Sequence, residues 1–276
     1  MFPSVILAKI LGKKIIISAI GLASHSSSSN SSYSCFNKII SKISFLIERV
    51  MFLLSDIILI ESPTVMNFLG LTRYSEKVYS KCARYIDTKS FTIKKEITKR
   101  ENLVGYIGRI SPEKGILDLI NSALIILKIH GRISFLVGGY GILYEKLEEE
   151  IMKRGLSDKI RMVGWIPHAQ VPEYLNELKL LVLPSYSEGL PTIILEAMAC
   201  GAIVLASPVG GIPDIIRDGE TGFILEDRSP DYIAKKILKI LSRSDLEQIA
   251  RNARRIIEVE YSYESAVKRF KEMLKL

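Results

Sequence analysis

The sequence is poor in the residues that signal disulfide, redox or metal chemistry. It holds three cysteines, Cys35, Cys82 and Cys200, in 276 residues. An odd number at wide spacing gives no disulfide framework, no metal-ligand pair and no redox pair, so a reduced, cytoplasmic setting is the expectation. No uninterrupted apolar run approaches the roughly 20 residues that a membrane-spanning helix needs. The most hydrophobic window, Phe45 to Ile60, is broken by Glu48, Arg49 and Asp56. The opening segment carries Lys9, Lys13 and Lys14 inside and after a short apolar stretch, whereas a secretory signal places its charge before one. The Gly-x4-Gly-Lys-Ser/Thr spacing of a P-loop is absent, and there is no internal repeat.

Enough apolar sequence remains to build a core. Hydrophobic residues make up 48% of the chain and charged residues 25%, so the chain as a whole is not disordered. Its length allows one large or two small domains. The net charge of +8 belongs to the first third: residues 1–100 carry fifteen Lys and Arg against six Asp and Glu, and the remainder is close to neutral. An anionic membrane surface or a phosphate-bearing acceptor would suit that charge, and so would a solvated basic face with no partner. No nucleic-acid partner is expected.

Along the chain, Lys13–Ser18, Asp56–Ile60 and Glu76–Tyr79 read as strands, and Lys38–Leu54 as an apolar helix. The Ser-rich run Ser24–Ser34 reads as a mobile loop, Ser62-Pro63 opens a short helix, and Arg84–Arg100 reads as a polar interdomain linker. From Leu103 short apolar strands (103–107, 133–137, 160–163, 180–183, 203–205) alternate with helical stretches, which implies parallel β-α-β units. Ser229-Pro230, a capping box Ser244-Asp-Leu-Glu247, and Ser262 each start a late helix. The expected domains are 1–95, 96–260 and a C-terminal helix within 261–276 that packs back towards the first.

The chemistry-bearing segments follow the strands of the regular region. Leu180–Pro184 reads as a buried strand and leads into Ser185-Tyr-Ser-Glu-Gly-Leu-Pro-Thr-Ile-Ile-Leu-Glu-Ala-Met-Ala-Cys-Gly201. Pro191 suits the first residue of a helix and Gly201 its stop. Glu188 falls in the loop and Glu196, eight positions on, more than a turn into the helix, so they reach different parts of one ligand. The plain alternative is a helix with two surface acids. Earlier, Gly105-Tyr-Ile-Gly-Arg-Ile-Ser-Pro-Glu-Lys-Gly115 sets Arg109 and Lys114 in a loop at a strand's carboxyl end, a place that suits a diphosphate. Arg109 can grip two oxygens while Lys114 supplies a point charge; a basic surface loop is the other reading. Val137-Gly138-Gly139-Tyr-Gly141 lets backbone approach a ligand or a neighbouring element. Val163-Gly-Trp-Ile-Pro-His168 and Ser207-Pro-Val-Gly-Gly-Ile-Pro-Asp214 end the third and fifth strands. His168 reads as a surface histidine opening the next helix rather than a catalytic base, and Trp165 could equally be core.

In this order the segments resemble the retaining GT-B glycosyltransferases of the glycogen-synthase-like group (glycosyl transferases group 1), whose signature is E-x7-E. The resemblance covers roughly residues 103–226. It implies an α/β fold, with one complete Rossmann-like parallel-sheet domain and a truncated N-terminal α/β domain. It further implies transfer of a sugar from a nucleoside-diphosphate sugar to an acceptor hydroxyl with retention, without cofactor or metal. By resemblance Arg109, Lys114 and Glu188 are catalytic, the cations stabilising the departing diphosphate and Glu188 meeting the donor sugar. Gly108, Gly138, Gly139, Trp165, Ile166, Gly189, Leu190, Pro191, Thr192 and Glu196 are donor-binding, with Trp165 and Ile166 at the nucleobase and Glu196 at the ribose. No Asp-x-Asp pair is present, which argues against the metal-dependent single-domain glycosyltransferases. The implied acceptor is a glycan or a lipid-linked molecule, at the inner membrane face if peripheral.

Three departures stand against the pattern. Arg84 and Tyr85 replace an Asn-Gly before Asp87 and Phe91, and Ile20 stands where the family often carries a histidine, with His25 out of place. The first third also has room for only three candidate strands. These favour, as rivals, a split or non-catalytic remnant that binds nucleotide or assists a partner, or a second chain completing the first domain. An epimerase or phosphorylase of related architecture is a further rival.

Overall fold

The computed structural model describes residues 2–19, 35–80 and 84–275. Ser24–Ser34, Ile20, His25 and Cys82 lie outside the described residues. The chain divides into two compact units: Met1–Arg84 with Ala266–Leu276, and Tyr85–Ser265.

The first unit holds a parallel sheet of β1 (Ile16–Ser18), β2 (Ile57–Ile60) and β3 (Val78–Ser80), in that spatial order, with helices α1 (Phe2–Ile10), α2 (Cys35–Leu54) and α3 (Pro63–Phe68). Strand β2 is apolar throughout because both of its faces are covered. Ile58 and Ile60 enter a cluster with Val5, Met51, Phe52, Val65 and Leu71, while Ile57 and Leu59 belong to a separate cluster on the opposite face. Polar groups tie the ends together. Asp56 accepts from the Ile15 N–H and from Lys9 Nζ, both at 2.8 Å, and these bonds hold its carboxyl below the usual carboxylate range. Lys77 Nζ donates to the carbonyls of Phe52, Leu53 and Ser55 at the carboxyl end of α2, where a cation complements the helix dipole. No helix among the described residues is long and apolar enough to cross a membrane.

The second unit is a six-stranded, all-parallel sheet in the order β6-β5-β4-β7-β8-β9. Its elements alternate along the chain: β4 (Leu103–Ile107), α4 (Ile116–Ile129), β5 (Ser134–Gly138), α5 (Tyr144–Lys153), β6 (Ile160–Gly164), α6 (Val171–Glu177), β7 (Leu180–Leu183), α7 (Thr192–Ala199), β8 (Ile203–Ala206) and β9 (Phe223–Ile224). Helices α8 (Pro230–Leu241) and α9 (Leu246–Glu260) complete it. The alternation expected from Leu103 onward is present, and Ile86 adds a parallel bridge to Ser262. The last helix, α10 (Tyr263–Leu274), starts with the Ser262 hydroxyl accepting from the Ser265 N–H at 3.3 Å. From Ala266 α10 belongs to the first unit, where Met273, with Phe270 and Leu274, packs on Ile57 and Leu59.

Several local expectations change. The stretch read as a linker is packed into the second unit from Tyr85 onward, with Ile86, Phe91 and Ile97 buried in its core. Its polarity misled because Arg100, only 3% exposed, spends its guanidinium on backbone carbonyls of Lys95, Leu175, Leu178 and Cys200. The Ser244–Glu247 capping box does not form: Asp245 is the N-cap of α9, makes no side-chain cap bond, and instead accepts from Arg243. Pro191 sits one residue outside α7, as its N-cap. Strand β9 has no counterpart in the sequence reading, because two residues carry no periodicity.

Candidate active site

Because every strand of the second unit runs the same way, the loops after β4 to β8 leave the sheet at one edge, the carboxyl edge where open α/β sheets bind ligands. Backbone hydrogen bonds join these loops. Gly108 N–H donates to Gly138 O at 3.0 Å and Gly139 N–H to Gly164 O at 2.7 Å, linking the ends of β4, β5 and β6. Gly139 has φ +119°, and a Cβ there would lie 1.8 Å from Gly108 O, so only glycine lets the two loops meet. On the other side Tyr186 N–H donates to Glu113 O at 2.9 Å, joining the β7 and β4 loops. The β8 loop supports the Glu188 turn from behind. Gly211 N–H donates to Gly189 O at 2.7 Å, and at Gly210 (φ +59°) a Cβ would lie 2.3 Å from the carbonyl oxygens of both Glu188 and Gly189.

Two charged pairs sit on this frame. Lys114 ends a short 3-10 turn, Pro112–Lys114, and its Nζ lies 2.7 Å from Glu188 Oε2, with the Glu188 side chain only 9% exposed. Glu196, on α7, is 5% exposed, and its Oε1 lies 2.9 Å from His168 Nε2. The structure therefore pairs Lys114 with Glu188 and Glu196 with His168. Arg109 is in neither pair: its guanidinium is exposed and approaches Glu113 at 3.9 Å. The Arg109 carbonyl accepts from Tyr106 OH at 2.6 Å. Burial, with Glu188 and Glu113 nearby, pushes that phenol well above its ordinary value, so Tyr106 stays a neutral donor that pins the loop.

The remaining residues divide by exposure. Leu190 and Ile166 are buried, Thr192 is the first residue of α7, and Gly138 packs on Ile166. Trp165 is 76% exposed, which removes its core reading. The His168 side chain is 74% exposed, in line with a surface histidine, yet its Nε2 meets a buried carboxylate and its ring packs on Phe91 with centroids 5.4 Å apart. Sequence reasoning missed that link because 28 residues separate the two partners.

The sequence matches the family described as Glycosyl transferases group 1 over residues 87–256. The chain belongs to glycosyl transferases group 1. Among relatives of this group 1 chain is an uncharacterized glycosyltransferase of Methanocaldococcus jannaschii, 30% identical over 63% of this chain and 49% of its own. A lipopolysaccharide 1,2-N-acetylglucosaminetransferase of Salmonella typhimurium is 32% identical over 62% of this chain and 47% of its own. The group 1 chain thus spans about half the length of these curated relatives. In structure it resembles Anabaena HepE, solved in complex with UDP and glucose, with a TM-score of 0.77 over 99% of this chain and 74% of HepE at 19% identity. That likeness shows the fold, the α/β architecture of parallel sheets found in GT-B glycosyltransferases.

Proposed function

We propose that the chain carries out retaining glycosyl transfer from a nucleoside-diphosphate sugar to an acceptor hydroxyl. The observation that carries this reading is the Lys114–Glu188 pair, a cation and a shielded carboxylate 2.7 Å apart at the carboxyl edge of a parallel sheet. In the transfer, the bond between the anomeric carbon and the diphosphate oxygen breaks and its electron pair stays on the diphosphate. The acceptor oxygen bonds to the same face of that carbon and gives its proton to the departing diphosphate. Arg109 and Lys114 neutralise the charge that builds there, the role a metal plays elsewhere, and stabilisation of developing charge is usually the largest contribution to catalysis. The backbone of Gly108, Gly138, Gly139, Gly189 and Leu190, with Pro191 and Thr192 at the start of α7, lines the phosphate side. Glu188, released when the diphosphate takes Lys114, orients the sugar hydroxyls. Glu196 accepts from the ribose, and Trp165 and Ile166 meet the nucleobase.

HepE was solved with UDP, which makes UDP the first probe. Wild-type protein should bind it, and Glu196→Ala should weaken binding by about 1–3 kcal/mol, the value of a hydrogen bond to a charged group. Calorimetry on the folded variant checks this; equal affinities would remove Glu196 from the ribose. UDP binding without sugar transfer to any acceptor would favour the non-catalytic reading instead.

The acceptor is a glycan or a lipid-linked molecule, a class consistent with the lipopolysaccharide in the Salmonella relative's name. The first unit supplies a matching surface. Leu7, Ile10 and Leu11 at α1 and Ile43, Leu46 and Leu53 on α2 are exposed, and Lys13 and Lys14 follow α1 as exposed cations. Apolar and basic groups together fit an anionic lipid surface, at roughly 1 kcal/mol per cation near it. Co-sedimentation with phosphatidylserine-containing vesicles at low salt should recover the protein. A chain that stays in the supernatant, or that self-associates instead, contradicts the lipid reading.

A further inference from the structure

Given the ribose role proposed for Glu196, its neighbours identify what holds that carboxylate in place. Glu196 lies on α7 and is nearly buried, so its orientation depends on protein groups rather than on water. Three segments distant in sequence meet there. Phe91 comes from the packed stretch before β4, and its backbone is held on both sides: its N–H donates to Asp87 O at 2.9 Å, and its carbonyl accepts from Arg254. The His168 ring rests on Phe91, and Nε2 reaches Glu196 Oε1 at 2.9 Å.

A carboxylate offers about four acceptor sites and can turn about its last bond. A ribose diol needs two of those sites in a fixed direction. A donor held at Oε1 uses one site and stops the rotation, leaving Oε2 and the second lone pair of Oε1 for the two hydroxyls. We propose that His168 is a positioning residue that fixes the Glu196 carboxylate for the 2′- and 3′-hydroxyls of the donor nucleotide. A pair whose histidine side chain is 74% exposed adds little to stability. The value of this one lies in presenting a buried acceptor in one orientation before the ligand arrives, which lowers the ordering cost of binding.

The test is a calorimetric comparison of UDP with 2′,3′-dideoxyuridine diphosphate, on the full chain. Wild type should prefer UDP. His168→Ala should weaken UDP about five- to tenfold, the size of one hydrogen bond, and leave the dideoxy nucleotide unchanged. His168→Gln, which keeps an N–H donor at similar reach, should restore most of the preference. In a Glu196→Ala background, His168→Ala should cost nothing further. If wild type prefers UDP and His168→Ala prefers it equally, or loses both ligands alike, His168 does not position Glu196. If wild type makes no distinction between the two nucleotides, the ribose role of Glu196 itself falls and this proposal falls with it.

Discussion

Lys114→Met is expected to lower sugar transfer by about 10²–10³-fold, the usual cost of removing one group that stabilises developing charge. Methionine keeps the length and apolar stem of lysine and removes only the ammonium. The loss is compounded by what stays behind. Glu188, with its side chain 9% exposed, would face the diphosphate as an uncompensated carboxylate where it now holds the lysine at 2.7 Å. Two like charges at that range disfavour binding as well as reaction. UDP affinity should therefore fall together with the rate. Glu188→Gln separates the two effects. It leaves Lys114 free for phosphate, so UDP affinity should hold or rise while transfer still drops. Initial rates of nucleoside-diphosphate release and calorimetry on both variants read the difference. A Lys114→Met protein with wild-type UDP affinity would place the diphosphate elsewhere.

The largest expected effect on stability lies at Arg100. Its guanidinium donates to Lys95 O at 2.9 and 2.8 Å, to Leu175 O at 2.9 Å, to Leu178 O at 2.7 Å and to Cys200 O at 2.6 Å. Leu178 and Cys200 are the C-caps of α6 and α7, so one side chain satisfies the carboxyl ends of both helices. Arg100→Met would leave these carbonyls buried and unpaired, where water does not replace the lost donor. A loss of about 3–4 kcal/mol is expected, near the upper end for a single substitution. Urea unfolding should show a lower midpoint with an unchanged slope; a change under about 1 kcal/mol would mean that the carbonyls find other partners.

The second unit was legible because its strands are long apolar runs between turn residues. Leu103–Ile107 and Leu180–Leu183 are strands with the bounds read from the sequence, and the loops carrying Arg109, Lys114 and Glu188 follow from them. Less visible were features that local pattern does not encode. Residues 85–100 are polar by composition, yet Ile86, Phe91, Ile97 and Arg100 are buried, and the Arg100 acceptors Leu175, Leu178 and Cys200 lie at least 75 residues away. Asp245 is claimed by Arg243, so a sequence with the letters of a capping box makes none. Within the candidate site the residue types stood out but their pairing did not. Lys114 meets Glu188 across 74 positions, and His168 meets Glu196 across 28. Those contacts depend on which loops the strand order β6-β5-β4-β7-β8 brings side by side, and that order is a property of the sheet as a whole.

The proposed function requires a nucleoside diphosphate to bind at the carboxyl edge of the second unit's sheet. An amide NMR titration with UDP reads that binding out residue by residue. Shifts should concentrate at Gly108–Lys114, Gly138–Gly139, Gly164–Ile166 and Gly189–Thr192, and should vanish in Lys114→Met at the same UDP concentration. Shifts gathered instead in the groove lined by Arg217, Asn252 and Arg255, or no shifts at millimolar UDP, would contradict it.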